Sequence, residues 1–327
     1  MTVPAASMPP GPRAPLNLSD LNAEQRAAVE HMHGPLLVFA GAGSGKTRVI
    51  TYRIAHLIAQ GVAPWNILAV TFTNKAANEM RERVVELVGE ASGGINIGTF
   101  HGQALRILRR DIAQLGWEES FSIYDANDQL RAVKQAMADL DIPINTVSPV
   151  ALRNEISRAK DELTTPFEYA ERAEGLFQDM TAKIYHRYQR LLRDAQAVDF
   201  GDMIAMAVRI FREIPEARAF YQDSLRYVLV DEYQDTNRAQ YYFIRELAAD
   251  HRNVCVVGDD DQSIYSWRGA DIRNILDFES QFPDATVVRL ERNYRSTKRI
   301  LAASNAVVSK LPMRAPKTLW TEREEGD

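Results

Sequence analysis

The sequence predicts an α/β protein built on a doubly wound parallel sheet, and three observations carry that prediction. Six short apolar runs, at 36–39, 67–71, 95–98, 227–230, 254–257 and 286–290, read as strands. Most are continuously apolar, which marks strands covered on both faces. Helical patterns separate the early runs, as the crossovers of a parallel sheet require. The first run also passes through a glycine-rich stretch into a segment carrying Val49, Ile50, Ile54, Leu57 and Ile58, a strand–loop–helix unit.

Taken in order, the chain opens with a proline-rich segment, 1–16, that reads as a disordered tail. Structure is expected from 18–21, where Asn22 caps a helix carrying Glu24, Gln25 and Val29. His31 and His33 read as exposed loop histidines. Between 105 and 197 the strand signal nearly vanishes. Helical segments at 125–140, 149–160, 167–172 and 176–195 are punctuated by turns at 141–143 and 164–166. A helical block between early and late strands of one sheet predicts an inserted helical subdomain. After Leu290 come one more helix, 297–309, and a proline-punctuated stretch to Trp320.

Composition narrows the class. At 327 residues and 46% hydrophobic content, the chain can bury a core of about two domains. No apolar run approaches the roughly 20 residues that span a bilayer, so no membrane partner is expected. The start lacks a basic and then apolar signal. The single cysteine, Cys255, lies inside the 254–257 run and reads as a buried strand residue, which suits a reducing cytoplasm. A net charge of −5 is not that of a wholesale polyanion binder, so any nucleic-acid contact must come from a local track.

The run Ala40-Gly41-Ala42-Gly43-Ser44-Gly45-Lys46-Thr47 carries the chemistry. Glycines let successive N–H groups turn inward on an anion, and the following helix N-terminus adds partial positive charge. Lys46 would reach the β- and γ-phosphates and the Thr47 hydroxyl would ligate Mg²⁺. Ala40 stands where the general pattern has glycine. The bland alternative is a flexible turn, but strand, loop, Lys-Thr and helix all agree on a nucleoside triphosphate.

A second apolar strand, 227–230, ends in Asp231-Glu232, at the carboxyl end where such sheets bind ligands. Asp231 can hold Mg²⁺, usually through water, and Glu232 can orient or deprotonate the attacking water. A third strand runs into Gly258-Asp259-Asp260-Asp261-Gln262, where Gln262 can hydrogen-bond the γ-phosphate or the water. The three aspartates would repel a polyphosphate, so they are expected to face away or bond backbone.

These stretches resemble the superfamily 1A DNA helicases of the UvrD/Rep/PcrA type over nearly the whole chain from Leu18 to Trp320. Leu21 to Val29 resembles the Q motif, whose glutamine, here Gln25, reads adenine. Ala40 to Thr47 resembles motif I, in which alanine at the first position is common, with Arg48 lying beside the nucleotide. The stretch Thr71-Phe72-Thr73-Asn74-Lys75-Ala76-Ala77 resembles motif Ia and Gly98-Thr99-Phe100-His101-Gly102 motif Ib, both lining a single-stranded DNA track. Asp199-Phe200-Gly201-Asp202 resembles the block that returns the chain from helical insert to sheet. Asp231-Glu232-Tyr233-Gln234-Asp235 resembles motif II and Gly258 to Ala270 motif III. Leu290-Glu291-Arg292-Asn293-Tyr294-Arg295-Ser296 resembles motif IV, with Tyr294 beside the base and Arg295 near the γ-phosphate.

The resemblance implies a RecA-like first domain over 17–108 and 198–289, a helical insert over 109–197, and at 290–327 the incomplete start of a second RecA-like domain. It implies an ATP-dependent helicase that translocates 3′ to 5′ on single-stranded DNA and unwinds duplex in repair or replication. Thr71, Thr73, Asn74 and His101 are then expected phosphate or sugar contacts. Phe72, Tyr265 and Trp267 are expected base stackers with Phe100 and Arg268 in the same track, because every base offers a π face. Motifs V and VI do not occur, so the chain is expected to be an N-terminal portion, partnered by the remaining domains and of doubtful activity alone. The rivals are the motor half of a helicase–nuclease, a phosphate-loop enzyme indifferent to DNA, and a non-catalytic DNA-binding module.

Overall fold

In the computed structural model, residues 16–311 and 315–326 are described, so the expected tail lies outside the described residues apart from Leu16. Asn22 caps α1 (Ala23–Glu30) with a reciprocal capping box to Gln25. Then come β1 (Leu36–Ala40), α2 (Lys46–Ala59), β2 (Ile67–Thr71), α3 (Asn74–Val88), β3 (Asn96–Thr99) and α4 (Phe100–Asp111). Thr73 and Thr99 cap α3 and α4 with their hydroxyls, which ends each strand at the turn into its helix.

The middle of the chain departs from the sequence expectation in one respect. Strand β4 (Ser122–Tyr124) precedes α5 (Ala126–Asp139), α6 (Pro149–Asp161), α7 (Pro166–Glu171) and α8 (Leu176–Asp194), and β5 (Ala197–Asp199) follows. β4 and β5 pair in parallel, Ile123 opposite Val198, as a small second sheet. Three residues are too few for a pattern to betray a strand. The helices were expected; α5, α6 and α8 share a hydrophobic cluster of their own around Val133, Leu152, Ile156 and Tyr188.

The chain returns through α9 (Phe200–Glu213), α10 (Pro215–Ser224), β6 (Tyr227–Val230), α11 (Arg238–Ala248), β7 (Val254–Gly258) and β8 (Thr286–Leu290). The main sheet is parallel throughout, in the order β3-β2-β6-β7-β1-β8. Because side chains alternate across a strand, Leu37, Phe39, Val228 and Val256 pack on one face with α4, α9 and α11. Leu36, Val38, Leu229 and Cys255 pack on the other with Val49 and Ile54 of α2 and Met80 of α3. Helices on both faces of a parallel sheet are the doubly wound arrangement that the apolar runs predicted and the RecA-like one that the resemblance implied. Among the described residues no helix is long and apolar enough to cross a membrane.

Two local findings differ from expectation. His31 is half-buried, because the buried Arg53 guanidinium donates to the carbonyls of His31 and Ala28. Asp199 and Asp202, at the start of α9, form a buried charge cluster with α6 and α8. Lys160 of α6 places its Nζ 2.6 Å from Asp199 Oδ2 and 2.8 Å from Asp202 Oδ1. Tyr188 Oη donates to Asp199 at 2.7 Å and Gln189 Nε2 to Asp202 at 3.1 Å. Burial and the charge of Asp199 push the Asp202 carboxyl upward, while Lys160 holds Asp199 below the usual range. Removing one partner of such a pair leaves uncompensated buried charge. Lys160→Met is therefore expected to lower unfolding free energy by about 3–5 kcal/mol in urea titrations. A loss under about 1 kcal/mol would mean that the cluster is hydrated.

Candidate functional site

The phosphate loop sits at the carboxyl end of β1 and is held from several sides. Gln25 Nε2 donates to the Ser44 carbonyl at 2.9 Å, and its own amide oxygen is fixed by the Asn22 N–H. Gly45 has φ 95°, and a Cβ there would lie 2.7 Å from Gln25 Nε2, so only glycine fits. Tyr294 N–H donates to the Gly43 carbonyl at 2.9 Å, and Asn22 Nδ2 donates to Tyr294 Oη at 3.1 Å. Asn293 Nδ2 donates to the Ala42 carbonyl. Leu319 packs against Gly41 closely enough that a Cβ there would collide with its methyl. Gln25, Tyr294 and the loop from Ala40 to Thr47 are thus brought to one place. Arg48 is exposed, 3.9 Å from Asp20 and stacked over Tyr52, and Arg295 follows Tyr294 beside Gly43. Asn293, quoted within a motif but given no role, is the loop's lateral clamp.

At the carboxyl end of β6, Lys46 Nζ donates to Glu232 Oε2 at 2.6 Å. Glu232 adopts a left-handed backbone, φ 51° and ψ 43°, which turns its side chain to that lysine. Asp231 is buried, and its carboxylate accepts the Glu232 N–H. Burial, and then the charge of Glu232, push Asp231 up to about 7. A buried carboxylate in that state is one that a divalent cation would favour in its charged form. Gln234 ties this pair to the next strand: its Nε2 donates to Glu232 Oε2 at 2.9 Å, and its Oε1 accepts the Asp259 N–H at 2.9 Å. Gly258 has no room for a side chain, since a Cβ would lie 2.6 Å from that Oε1.

The loop after β7 solves its acidity with a residue that the sequence did not single out. Asp259, Asp260 and Asp261 converge within 4.8 Å of one another, and Lys317 Nζ lies 2.8 Å from Asp259 and 3.0 Å from Asp261 and pairs with Asp260 as well. Backbone bonds also contribute, Asp261 N–H to Asp259 and Ala315 N–H to Asp260. The aspartates therefore do more than face away: they hold the chain's last segment. Gln262 Nε2 donates to Asp259, so its amide is held beside the pair of β6.

Next to this loop a cleft of about 670 Å³ opens, lined by Thr71, Phe72, Thr73, His101, Phe200, Glu232, Gln234, Gln262, Tyr265 and Arg268 among others. Tyr265 and Trp267 stand 6.3 Å apart, with Arg268 over both rings. Trp267 is 75% exposed and lies outside the cleft lining. Asn74 is exposed at the start of α3, while the Thr73 hydroxyl is engaged as a helix cap. Burial lowers the His101 pKa, so at neutral pH it offers a ring, packed on Phe200, rather than a charge.

Phe100 is a correction. Its ring is 2% exposed, in the core between Phe72 and Phe243, where no base can reach it. The first residue of α4 points at the sheet, which the motif could not reveal. Conversely, Phe200 and Asp161 line the cleft without having been assigned to it. Asp161 accepts from Asn237 Nδ2 at 2.8 Å, and burial, then the charge of Asp199, push it up to about 7.

The chain is similar to known proteins over almost its whole length. The family model described as UvrD/REP helicase N-terminal domain matches residues 21–283. The ATP-dependent DNA helicase PcrA of Bacillus subtilis is 51% identical over 310 residues, 94% of this chain and 42% of that protein. That of Staphylococcus aureus strain Mu50 is 48% identical over 311 residues, 95% of this chain and 43% of that protein. The chain thus spans about two fifths of the length of these relatives.

Asp161 yields a pH test. Its folded pKa is raised, so its contribution to stability is fully present below the unfolded value near 4 and is lost as pH rises through about 7. In Asp161→Asn, unfolding free energy should fall less steeply between pH 4 and 7, by a few kcal/mol on the linkage slope. Identical profiles in wild type and variant would place Asp161 in water.

Proposed function

This chain belongs to the UvrD/REP helicase N-terminal domain family, and we propose that it is the ATP-hydrolysing, strand-gripping part of a DNA helicase. One observation carries the reading. A run of hydrogen bonds leads from Lys46 through Glu232 and Gln234 to the Asp259–Gln262 turn, whose continuation supplies Tyr265 and Arg268 to the cleft. Phosphate loop and aromatic cleft share one polar chain.

In this reading Gln25 and Tyr294 hold the base, and Gly41 to Thr47 hold the phosphates with Lys46. Thr47 and Asp231 would hold the Mg²⁺ of bound Mg–ATP, which would offset charge on the β- and γ-phosphates as the γ-phosphoryl group passes to water. Lys46 then exchanges Glu232 for phosphate oxygens. Glu232, released, accepts the proton of the attacking water, and Gln262 and Arg295 face the γ-phosphate. Thr71, Thr73, Asn74 and His101 contact the strand's backbone, and Phe72, Tyr265 and Trp267 its bases. The finer parts of the proposal are 3′ to 5′ travel, a helical insert over 109–197, a RecA-like domain over 17–108 and 198–289, and a second lobe closing on the nucleotide. A cytoplasmic setting suits the single buried thiol of Cys255.

The test measures linkage between two ligands. A single-stranded oligonucleotide should change the affinity for a fluorescent ATP analogue, and the analogue should change oligonucleotide affinity by the same factor, typically 5–150-fold. Gln262→Ala should shrink that factor while leaving each separate affinity near wild type. Trp267→Ala should cost about 1–3 kcal/mol of oligonucleotide affinity. Nucleotide binding blind to oligonucleotide would instead favour a phosphate-loop enzyme uncoupled from DNA.

A further inference from the structure

A second cavity lies away from all of these groups. It measures about 330 Å³ and sits between α4, α10 and the start of β2 and β3. Leu68, Ile107, Leu225 and Phe243 give it apolar walls. Trp65 and Phe220 stand at it half-exposed, 50% and 43% accessible. Nucleotide loop and DNA cleft are built on the carboxyl ends of the strands, whereas Leu68 and Asn96 lie at the amino ends of β2 and β3. An occupant here would leave the other rim free.

The charge around this cavity is one-sided. No carboxylate is among its lining residues, but Arg106 and Arg110 are, one helical turn apart on α4 and both exposed. Among the described residues Arg106 makes no ion pair; its Nη1 donates to Asn96 Oδ1 at 3.0 Å. The Arg110 guanidinium lies flat on Phe220, 3.4 Å from the ring centroid, with Asp111 3.9 Å from its Nε. Asp111 in turn accepts from Tyr221 Oη at 2.6 Å, so its charge is already shared. In a chain of net charge −5, two cations over an apolar hollow are a local reversal of sign.

We propose that this cavity docks a short acidic peptide of a partner protein, with one aromatic or large aliphatic side chain in the hollow and its neighbouring carboxylates on Arg106 and Arg110. The volume, at the small end for ligand sites, fits one or two side chains rather than a folded surface. A nucleic-acid base fits less well. Asn96 has both ends of its amide engaged, with Trp65 O and Arg106, and the Ser224 carbonyl already accepts from Asn66. That leaves Gln103 as the remaining lining amide, too few groups to replace the water hydrogen bonds that a buried base edge would lose. The chain's own first fifteen residues fit no better, since they contain Arg13 and no aspartate or glutamate.

The experiment is selection of a displayed peptide library, randomised around one central position, on the full chain. The enriched sequences should carry a large apolar residue flanked by Asp or Glu. The leading peptide, made with a fluorescein label, should bind about tenfold or more weakly to Arg106→Glu/Arg110→Glu and to Phe220→Ala. Both arginines are exposed, so the double variant should keep its circular dichroism and its affinity for the ATP analogue. Saturating single-stranded oligonucleotide should leave peptide binding unchanged. Enrichment without the acidic-apolar pattern, binding indifferent to these variants, or displacement by oligonucleotide would each overturn the proposal, the last assigning the pocket to nucleic acid.

Discussion

The constraint on which everything else depends is that the main sheet is parallel and in level register. Val70 lies opposite Val230, Val230 opposite Val256, and Val38 opposite Val257. The strands therefore finish side by side, and whatever residue follows each one is delivered to the same rim. Lys46, Asp231, Gln262 and the residues after β2 come from four distant parts of the chain. No local preference brings them together; the ladder does. A one-residue slip would turn every side chain to the opposite face and set it against the wrong helices, so the two packed layers hold the register.

Once gathered, these residues create an electrostatic problem. Asp231, Glu232, Asp235 and three aspartates of the next loop crowd one rim of the sheet. The structure answers with few cations, each shared. Lys46 sits on Glu232, and Lys317 sits within the aspartate trio. Neutral amides do the rest: Gln234 satisfies Glu232 with one end and a backbone N–H with the other. Where no cation pairs directly with a carboxylate, protonation becomes easier, as at Asp231 and at Asp235, which burial and Glu232 push up to about 6. A rim poised in this way responds strongly to any added positive charge.

How much of this was legible in the sequence follows from how local each feature is. The strands at 67–71, 227–230 and 286–290 were readable because they are apolar runs with abrupt ends. Asn22, Ala40 to Thr47 and Asp231-Glu232 were readable because their chemistry lies in consecutive residues. β4 and β5 were not, since each is three residues long and gains its partner from far along the chain. Nor was the direction of the Phe100 ring, which depends on how α4 meets the sheet. Lys317 is a lone lysine among prolines until the fold sets it 57 residues back against Asp260. Asp161 and Phe200 became cleft residues only through the packing of α6 against α9 and α11.

Glu232 shows where folding and chemistry ask for different residues. Its left-handed backbone is one that glycine adopts freely and that a side chain makes costlier by roughly 1–2 kcal/mol. A chain optimised only for durability would place glycine there and lose the carboxylate that pairs with Lys46. The protein keeps a small, permanent discomfort at that position, and selection for heat tolerance alone would tend to erase it.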